Sequence, residues 1–182
     1  MARSAVGTGT FPADIPRFRE LGAIPNITPI WGRLDFWELM AIDTLGPERG
    51  EQLFLNQDYL RHGANLVWGT DWSVTTLSPL EGIETSVTRR HLGGINPGSG
   101  EPDETWMPGQ TLNLEQSIAA YTINGAYLVH AEDSTGSIEV GKLADLVVLE
   151  QNLFDISPLE IHTVNTDLTV FDGRIVFERE TD

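Results

Sequence analysis

One carboxylate in this 182-residue sequence stands where an enzyme would use it. Asp71 lies in Gly69-Thr70-Asp71-Trp72, directly after residues 65–68, a compact apolar stretch that reads as a short strand. The carboxyl end of a strand in a β/α unit is where barrel enzymes draw their catalytic groups. A carboxylate there can bind a hard or borderline cation, or act as general base on cation-bound water. Asp is also common in turns, where it satisfies backbone donors, and spacing alone favours that plainer role. Trp68 and Trp72 flank the turn, either as packing aromatics or as walls of a substrate site.

The other chemically useful side chains are scattered. His62, His91, His130 and His162 form neither a His-x-His nor a His-Glu-x-x-His pair, so local spacing builds no metal site. His62, His91 and His130 fall near predicted helix ends, where a cation suits the dipole, and His162 falls in a surface connection. Arg89-Arg90 could hold an anionic group, although a solvated helix face is the commoner reason for such a pair. Ser73, Ser78 and Ser86 lack the Gly-x-Ser-x-Gly setting of a serine hydrolase. No phosphate-cradling glycine motif is present.

The elements that must position these groups alternate. Residues 14–22 read as a short helix with Asp14 at its cap and Gly22 at its stop. Ile15, Phe18 and Leu21 would form its buried stripe. Residues 24–27 read as a strand, 30–50 as a loop with a helical turn, and 56–62 as a helix capped by Asn56. Residues 79–91 carry Leu80, Ile83 and Val87 on one helical face, and residues 93–109, dense in Gly and Pro, read as a flexible surface connection. Asn113 and Gln116 form a capping box for the next helix, which buries Leu114, Ile118 and Tyr121; Gly125 marks a break or a close packing contact. The four apolar residues Leu146 to Leu149 suit a strand covered on both faces. Asp172-Gly173 between residues 168–171 and 175–177 predicts a hairpin. Residues 1–10 show no period and read as irregular.

Charge narrows the partners. Asp and Glu number 27 against 11 Lys and Arg, a net charge of −16, so phosphate backbones and anionic lipid heads would be repelled. A nucleic-acid or membrane partner is therefore not expected. No apolar run approaches the roughly 20 residues of a membrane span, and residues 1–10 hold no apolar stretch of signal-peptide length; the cytoplasm is the default expectation. With no cysteine, disulfides and thiolate metal sites are excluded.

Several motifs carry a resemblance. Gly136-Ser-Ile-Glu-Val-Gly-Lys-Leu-Ala-Asp-Leu-Val-Val-Leu149 resembles a signature of the amidohydrolase superfamily that leads into a small β-sandwich beside the catalytic barrel. Asp172-Gly-Arg-Ile-Val176 resembles its closing hairpin. Pro12-Ala-Asp-Ile-Pro-Arg-Phe-Arg-Glu-Leu-Gly22 looks like the helix after the sixth barrel strand in the metal-dependent "amidohydrolase 3" branch. Gly69-Thr-Asp-Trp72, Ser78-Pro-Leu-Glu-Gly-Ile83 and Val87-Thr-Arg-Arg90 look like that branch's eighth strand and the segment after it.

The resemblance implies an α/β fold: part of a TIM-type (β/α) barrel with following helices over residues 1–130, then part of a β-sandwich over 131–182. It implies hydrolysis of non-peptide C–N bonds in a small amide-type substrate. Asp71 matches the eighth-strand aspartate, which helps hold the divalent metal, deprotonates the attacking water and passes the proton to the leaving nitrogen. The family's His-x-His pair, its bridging Lys or Glu and its strand-five and strand-six histidines have no match; Ala5-Val-Gly-Thr-Gly-Thr10 stands where the last would fall. A divalent cation, zinc by expectation, could bind only if other residues completed the site. The chain is accordingly expected to be a truncated or split product, or a piece of a longer frame, inactive alone and completed by a partner chain or a homo-oligomer. The alternative is a non-catalytic remnant or association module of the same family.

Overall fold

A computed structural model describes residues 4–6 and 9–180. Three short strands, β1 (Ser4–Val6), β2 (Ile24–Ile27) and β3 (Val67–Trp68), pair in parallel in that order. Residues 1–10 were expected to be irregular, yet 4–6 add a strand to β2. Three residues are too few for a hydrophobic period to stand out. The connections are helical. α1 (Ile15–Leu21) joins β1 to β2, and α2 (Phe36–Leu45), α3 (Pro47–Gly50) and α4 (Asn56–Arg61) lie between β2 and β3. Helical crossovers between parallel strands place this segment in the α/β class, and the expectation of an α/β fold holds.

α1 ends as predicted, with Gly22 left-handed at φ 63°. Its stripe is shorter than expected: Ile15 is buried and Phe18 packs against the core, but Leu21 is exposed. Asp14 sits at the cap position without capping, because its carboxylate accepts from Arg17 Nη1 at 2.7 Å. Asn56 is likewise no cap; it is already inside α4, buried, with Leu55 at the cap position. Beneath the parallel sheet Ile27, Tyr59, Leu66, Trp68 and Leu112 form one apolar cluster. Each such side chain contributes roughly 1.5–3 kcal/mol on burial.

After β3 the chain crosses residues 69–78 to α5 (Pro79–Thr88), makes a long hairpin-like loop, and continues through α6 (Leu114–Tyr121) and α7 (Ile123–Leu128). The Asn113–Gln116 capping box is formed in both directions. The break between α6 and α7 falls at Thr122, and Gly125 lies inside α7. Leu80, Ile83, Leu114, Ile118 and Tyr121 meet Leu153, Ile161 and Val164 in a second apolar cluster. Residues 158–163, a 3-10 turn, are thereby packed on α5.

The chain ends in an antiparallel sheet, ordered β4 (Leu146–Leu149), β5 (Thr166–Phe171), β6 (Arg174–Glu178). Asp172 and Gly173, at φ 49° and 72°, make the left-handed hairpin turn that Asp-Gly predicts. Thr169 faces Phe177 and Val170 faces Ile175, so Val176 is a bulge that twists the free edge of β6. Residues 146–149 do form a strand, but Val147 and Val148 are 60% and 46% exposed rather than covered on both faces. No helix among the described residues is long and apolar enough to cross a membrane.

Candidate active site

β2 and β3 are parallel, so the residues leaving their carboxyl ends emerge on one rim. Gly69 N extends the ladder by donating to Ile27 O at 3.0 Å. Thr70 and Asp71 follow. Asp71 is left-handed, at φ 58°, a conformation that Asp tolerates better than most residues. Its main-chain carbonyl, not its carboxylate, closes the turn by accepting from Val74 N at 2.8 Å and Thr75 N at 3.2 Å. The carboxylate is exposed and makes no hydrogen bond or ion pair among the described residues. The turn-satisfying role that spacing favoured therefore belongs to the backbone.

The loop is tied to the helix behind it. Thr75 Oγ1 donates to Thr70 O, Ser78 N to Thr76 Oγ1 at 3.0 Å, and Thr76 Oγ1 to Glu81 Oε1 at 3.0 Å. Trp68 anchors the strand from behind: its indole N–H donates to Ser117 Oγ at 3.2 Å, and that hydroxyl meets Ser86 Oγ at 2.5 Å. Trp68 is thus a buried strut joining β3, α6 and α5, whereas Trp72 is 63% exposed. An open apolar groove of about 940 Å³ runs from Thr70, Leu77 and Ser78 along α5 and α6 to Val147 and Thr169 of the antiparallel sheet.

The histidines do not converge on Asp71. His62 ends α4 with Nδ1 2.9 Å from Asp58 O. His130 is an exposed left-handed residue after α7. His91 is buried, with Nδ1 2.8 Å from Asp103 Oδ2. His162, expected in a surface connection, sets both its backbone N–H and Nδ1 on Glu84 Oε2, at 2.9 and 2.6 Å. No group of three or more His, Cys, Asp or Glu among the described residues could hold a metal ion. A catalytic zinc normally takes three protein ligands, so the described residues do not fit a complete metal site. They offer one free carboxylate toward one.

Arg89 and Arg90 are not a solvated helix face. α5 stops at Thr88, Arg89 turns left-handed at φ 50°, and residues 89–91 run back along 103–106. Arg89 and Trp106 exchange bonds: Trp106 N donates to Arg89 O at 3.0 Å and Arg89 Nε to Trp106 O at 2.8 Å. Arg89 Nη1 reaches Phe54 O at 3.1 Å, and the guanidinium lies 4.8 Å from the Trp106 ring centroid. Arg90 Nε donates to Thr105 Oγ1 at 2.8 Å. Burial pulls Arg89 down to about 10, with the Glu38 charge opposing the shift. These pairings fold the Gly- and Pro-rich loop, read from sequence as flexible, into a hairpin pinned at its base.

The family match decides what this rim belongs to. Residues 2–177 match the model of the amidohydrolase family. The chain belongs to that family. Among amidohydrolase relatives, it is 30% identical over 139 residues to the putative amidohydrolase YtcJ of Bacillus subtilis (strain 168), covering 76% of this chain and 25% of that protein. It is 29% identical over 166 residues to the N-substituted formamide deformylase of Arthrobacter pascens, covering 88% of this chain and 27% of that protein. An adenosine deaminase from Xanthomonas campestris, solved with bound zinc, shares the fold with a TM-score of 0.64 at 20% identity, over 96% of this chain and 37% of that one. The chain spans about a quarter of the length of the curated relatives it matches.

Two amidohydrolase-segment residues escaped the sequence reading. Glu84 is fully buried, and its two carboxylate oxygens receive Gly93 N at 2.7 Å and His162. Its signal was available: positions 80, 83, 84 and 87 share one helical face, so a glutamate interrupts the apolar stripe of α5. Glu38 is buried at 4% exposure with Oε2 unpartnered. Its only sequence signal is the Asp35-x-x-Glu38 spacing of a capping box.

Proposed function

We propose that this chain supplies the closing barrel strands and part of the β-sandwich of a metal-dependent hydrolase acting on C–N bonds in small amide-type molecules. In this reading residues 1–130 are the barrel portion with its following helices, and 131–182 the sandwich portion. The observation that carries the reading is Asp71: a free, exposed carboxylate on the carboxyl rim of a parallel strand. The loop that carries it is fixed by its left-handed backbone and by the Thr70–Thr75 and Thr76–Glu81 bonds. The deformylase relative supports an N-acyl or N-formyl substrate class.

Asp71 accepts a proton from the attacking water and returns it to the leaving nitrogen, a general acid–base role worth roughly 10²–10⁴-fold. The remaining ligands of a divalent cation come from residues outside this sequence, on another segment or a partner chain. The test is a panel of N-formyl amines, N-acyl amines and cyclic amides, assayed by amine release on the protein purified with whatever polypeptide accompanies it. Turnover abolished by a chelator and restored by added zinc supports the reading; no turnover on any C–N substrate sinks it.

A second reading, an association module without catalysis, is favoured by the antiparallel sheet. Val147, Phe171, Ile175 and Val176 are all at least 60% exposed, an apolar surface that marks association. Sedimentation separates the two: this reading requires self-association of the purified chain, and a monodisperse monomer without turnover contradicts it.

A further inference from the structure

The two outer strands of the antiparallel sheet are finished differently. β6 carries Arg174 and Glu178 at its ends and the Val176 bulge between them, devices that discourage a further strand from pairing. β4 has none of them. Leu146-Val147-Val148-Leu149 contains no charge, proline or glycine, and the bulge in its pairing with β5 falls at Asp167, on the other strand. Its outer edge is also open. Ala144 O accepts from Gly173 N at 3.1 Å and Glu150 N donates to Asn165 O at 3.0 Å, so both residues turn their backbone groups toward the β5 side. Backbone groups alternate along an antiparallel strand, which leaves the N–H and C=O of Val147 and Leu149 on the outer edge. Among the described residues no strand pairs with that edge.

Apolar space adjoins the same strand. The groove of about 940 Å³ reaches Val147 and Leu149. A second cavity, of about 600 Å³, runs from Ala126 and Val129 to Leu146 and Val147.

Charge selects what can pair there. In a second copy laid antiparallel on the first with all four residues overlapping, Asp145 would face Glu150 of the other copy at both ends. Like charges directly opposite are destabilising, and each copy carries a net charge of −16. Acid is in excess at both ends of β4. Asp145 accepts from Asp172 N and Thr135 Oγ1, with no Lys or Arg on it among the described residues, and Glu150 and Asp167 share the single cation Arg179. We propose that the outer edge of β4 is a strand-addition site for an extended segment of another polypeptide, apolar at its centre and basic at its ends. Main-chain bonds to Val147 and Leu149 supply the affinity of such a site, and the charged ends its selectivity. No part of it involves Asp71, so failure here leaves the hydrolytic reading standing, and the converse holds.

Hydrogen exchange of the full chain, read amide by amide with NMR, tests this with synthetic peptides of about eight residues that alternate valine and threonine. A peptide ending in lysine at both ends should slow exchange at the Val147 and Leu149 amides at least about tenfold at saturation and leave the β6 edge unchanged. The same peptide ending in glutamate should bind about tenfold more weakly, a difference that shrinks as salt rises. A peptide with proline at its centre should protect neither amide. Val147→Lys, at an exposed position, places a like charge on the edge and should weaken the lysine-ended peptide by about tenfold. Unchanged exchange at Val147 and Leu149, equal binding of the lysine- and glutamate-ended peptides, or equal protection by the proline peptide overturns the proposal. So does a dimer in sedimentation that Val147→Lys abolishes, because the occupant would then be a second copy.

Discussion

Replacing Gly82 with alanine should destabilise the chain, against the usual preference of a helix. In an open helix interior alanine is better than glycine by about 1 kcal/mol. Here α5 crosses both the turn after β2 and the end of α6 at this residue. A Cβ on Gly82 would fall inside the contact radius of Tyr121 Oη, 2.9 Å from Pro29 Cγ and 3.1 Å from Tyr121 Cζ. Pro29 is fully buried and Tyr121 packs against both apolar clusters, so neither yields cheaply. Overpacking of this kind costs roughly 1–3 kcal/mol, occasionally more; the contact is severe, so about 2 kcal/mol net remains after the helix gain. For a domain of this size that lowers Tm by roughly 4–8 °C. Urea unfolding followed by tryptophan fluorescence, with a thermal melt by circular dichroism, measures it. Tyr121→Phe removes the worst contact and should restore about half the loss in a double-mutant cycle. A Gly82→Ala chain as stable as the parent would refute the packing of α5 against α6 and Pro29.

Arg89→Lys should cost about 3 kcal/mol in urea unfolding, because an ammonium cannot span the Phe54 and Trp106 carbonyls that the buried fork now joins. Glu84→Ala should free residues 158–163 from α5, seen as faster exchange at His162 and a loss of about 2 kcal/mol, since Gly93 N and His162 both lose their acceptor. The Glu38 carboxyl, raised from 4.5 to about 8, also sets a pH dependence. Between those values the folded chain keeps a proton that the unfolded chain has released. Its stabilisation is full below 4.5 and lost as pH rises to about 8, by up to about 1.4 kcal/mol per pH unit. Melts of the parent should show that slope, and Glu38→Gln should flatten it.

What the sequence told well was local. The Asp172-Gly173 turn, the Asn113–Gln116 capping box and the left-handed Gly22 stop depend on a few neighbouring residues, and each stands as read. What it hid was the set of pairings made across distance. Arg89-Arg90-His91 reads as polar helix surface until 103–106 returns beside it, and His162 reads as exposed until Glu84, 78 residues away, takes both its donors. Glu38 was illegible for another reason: its burial inverts the pattern by which α2 would ordinarily be oriented. Asp71 was singled out as a candidate by its place after a strand, and the carbonyl-closed turn leaves unused the carboxylate that spacing alone would have assigned to the backbone.

The most direct test of the central claim, that Asp71 is the chain's contribution to C–N hydrolysis, is steady-state amine release by the protein purified with the polypeptide that completes its site, on a substrate it turns over, and by the Asp71→Asn form of the same preparation. The exposed position of Asp71 makes the substitution structurally mild, so both forms should melt alike. The account predicts that Asp71→Asn lowers kcat by roughly 10²–10⁴-fold with KM little changed. An Asp71→Asn protein that releases amine at the parental rate would contradict it.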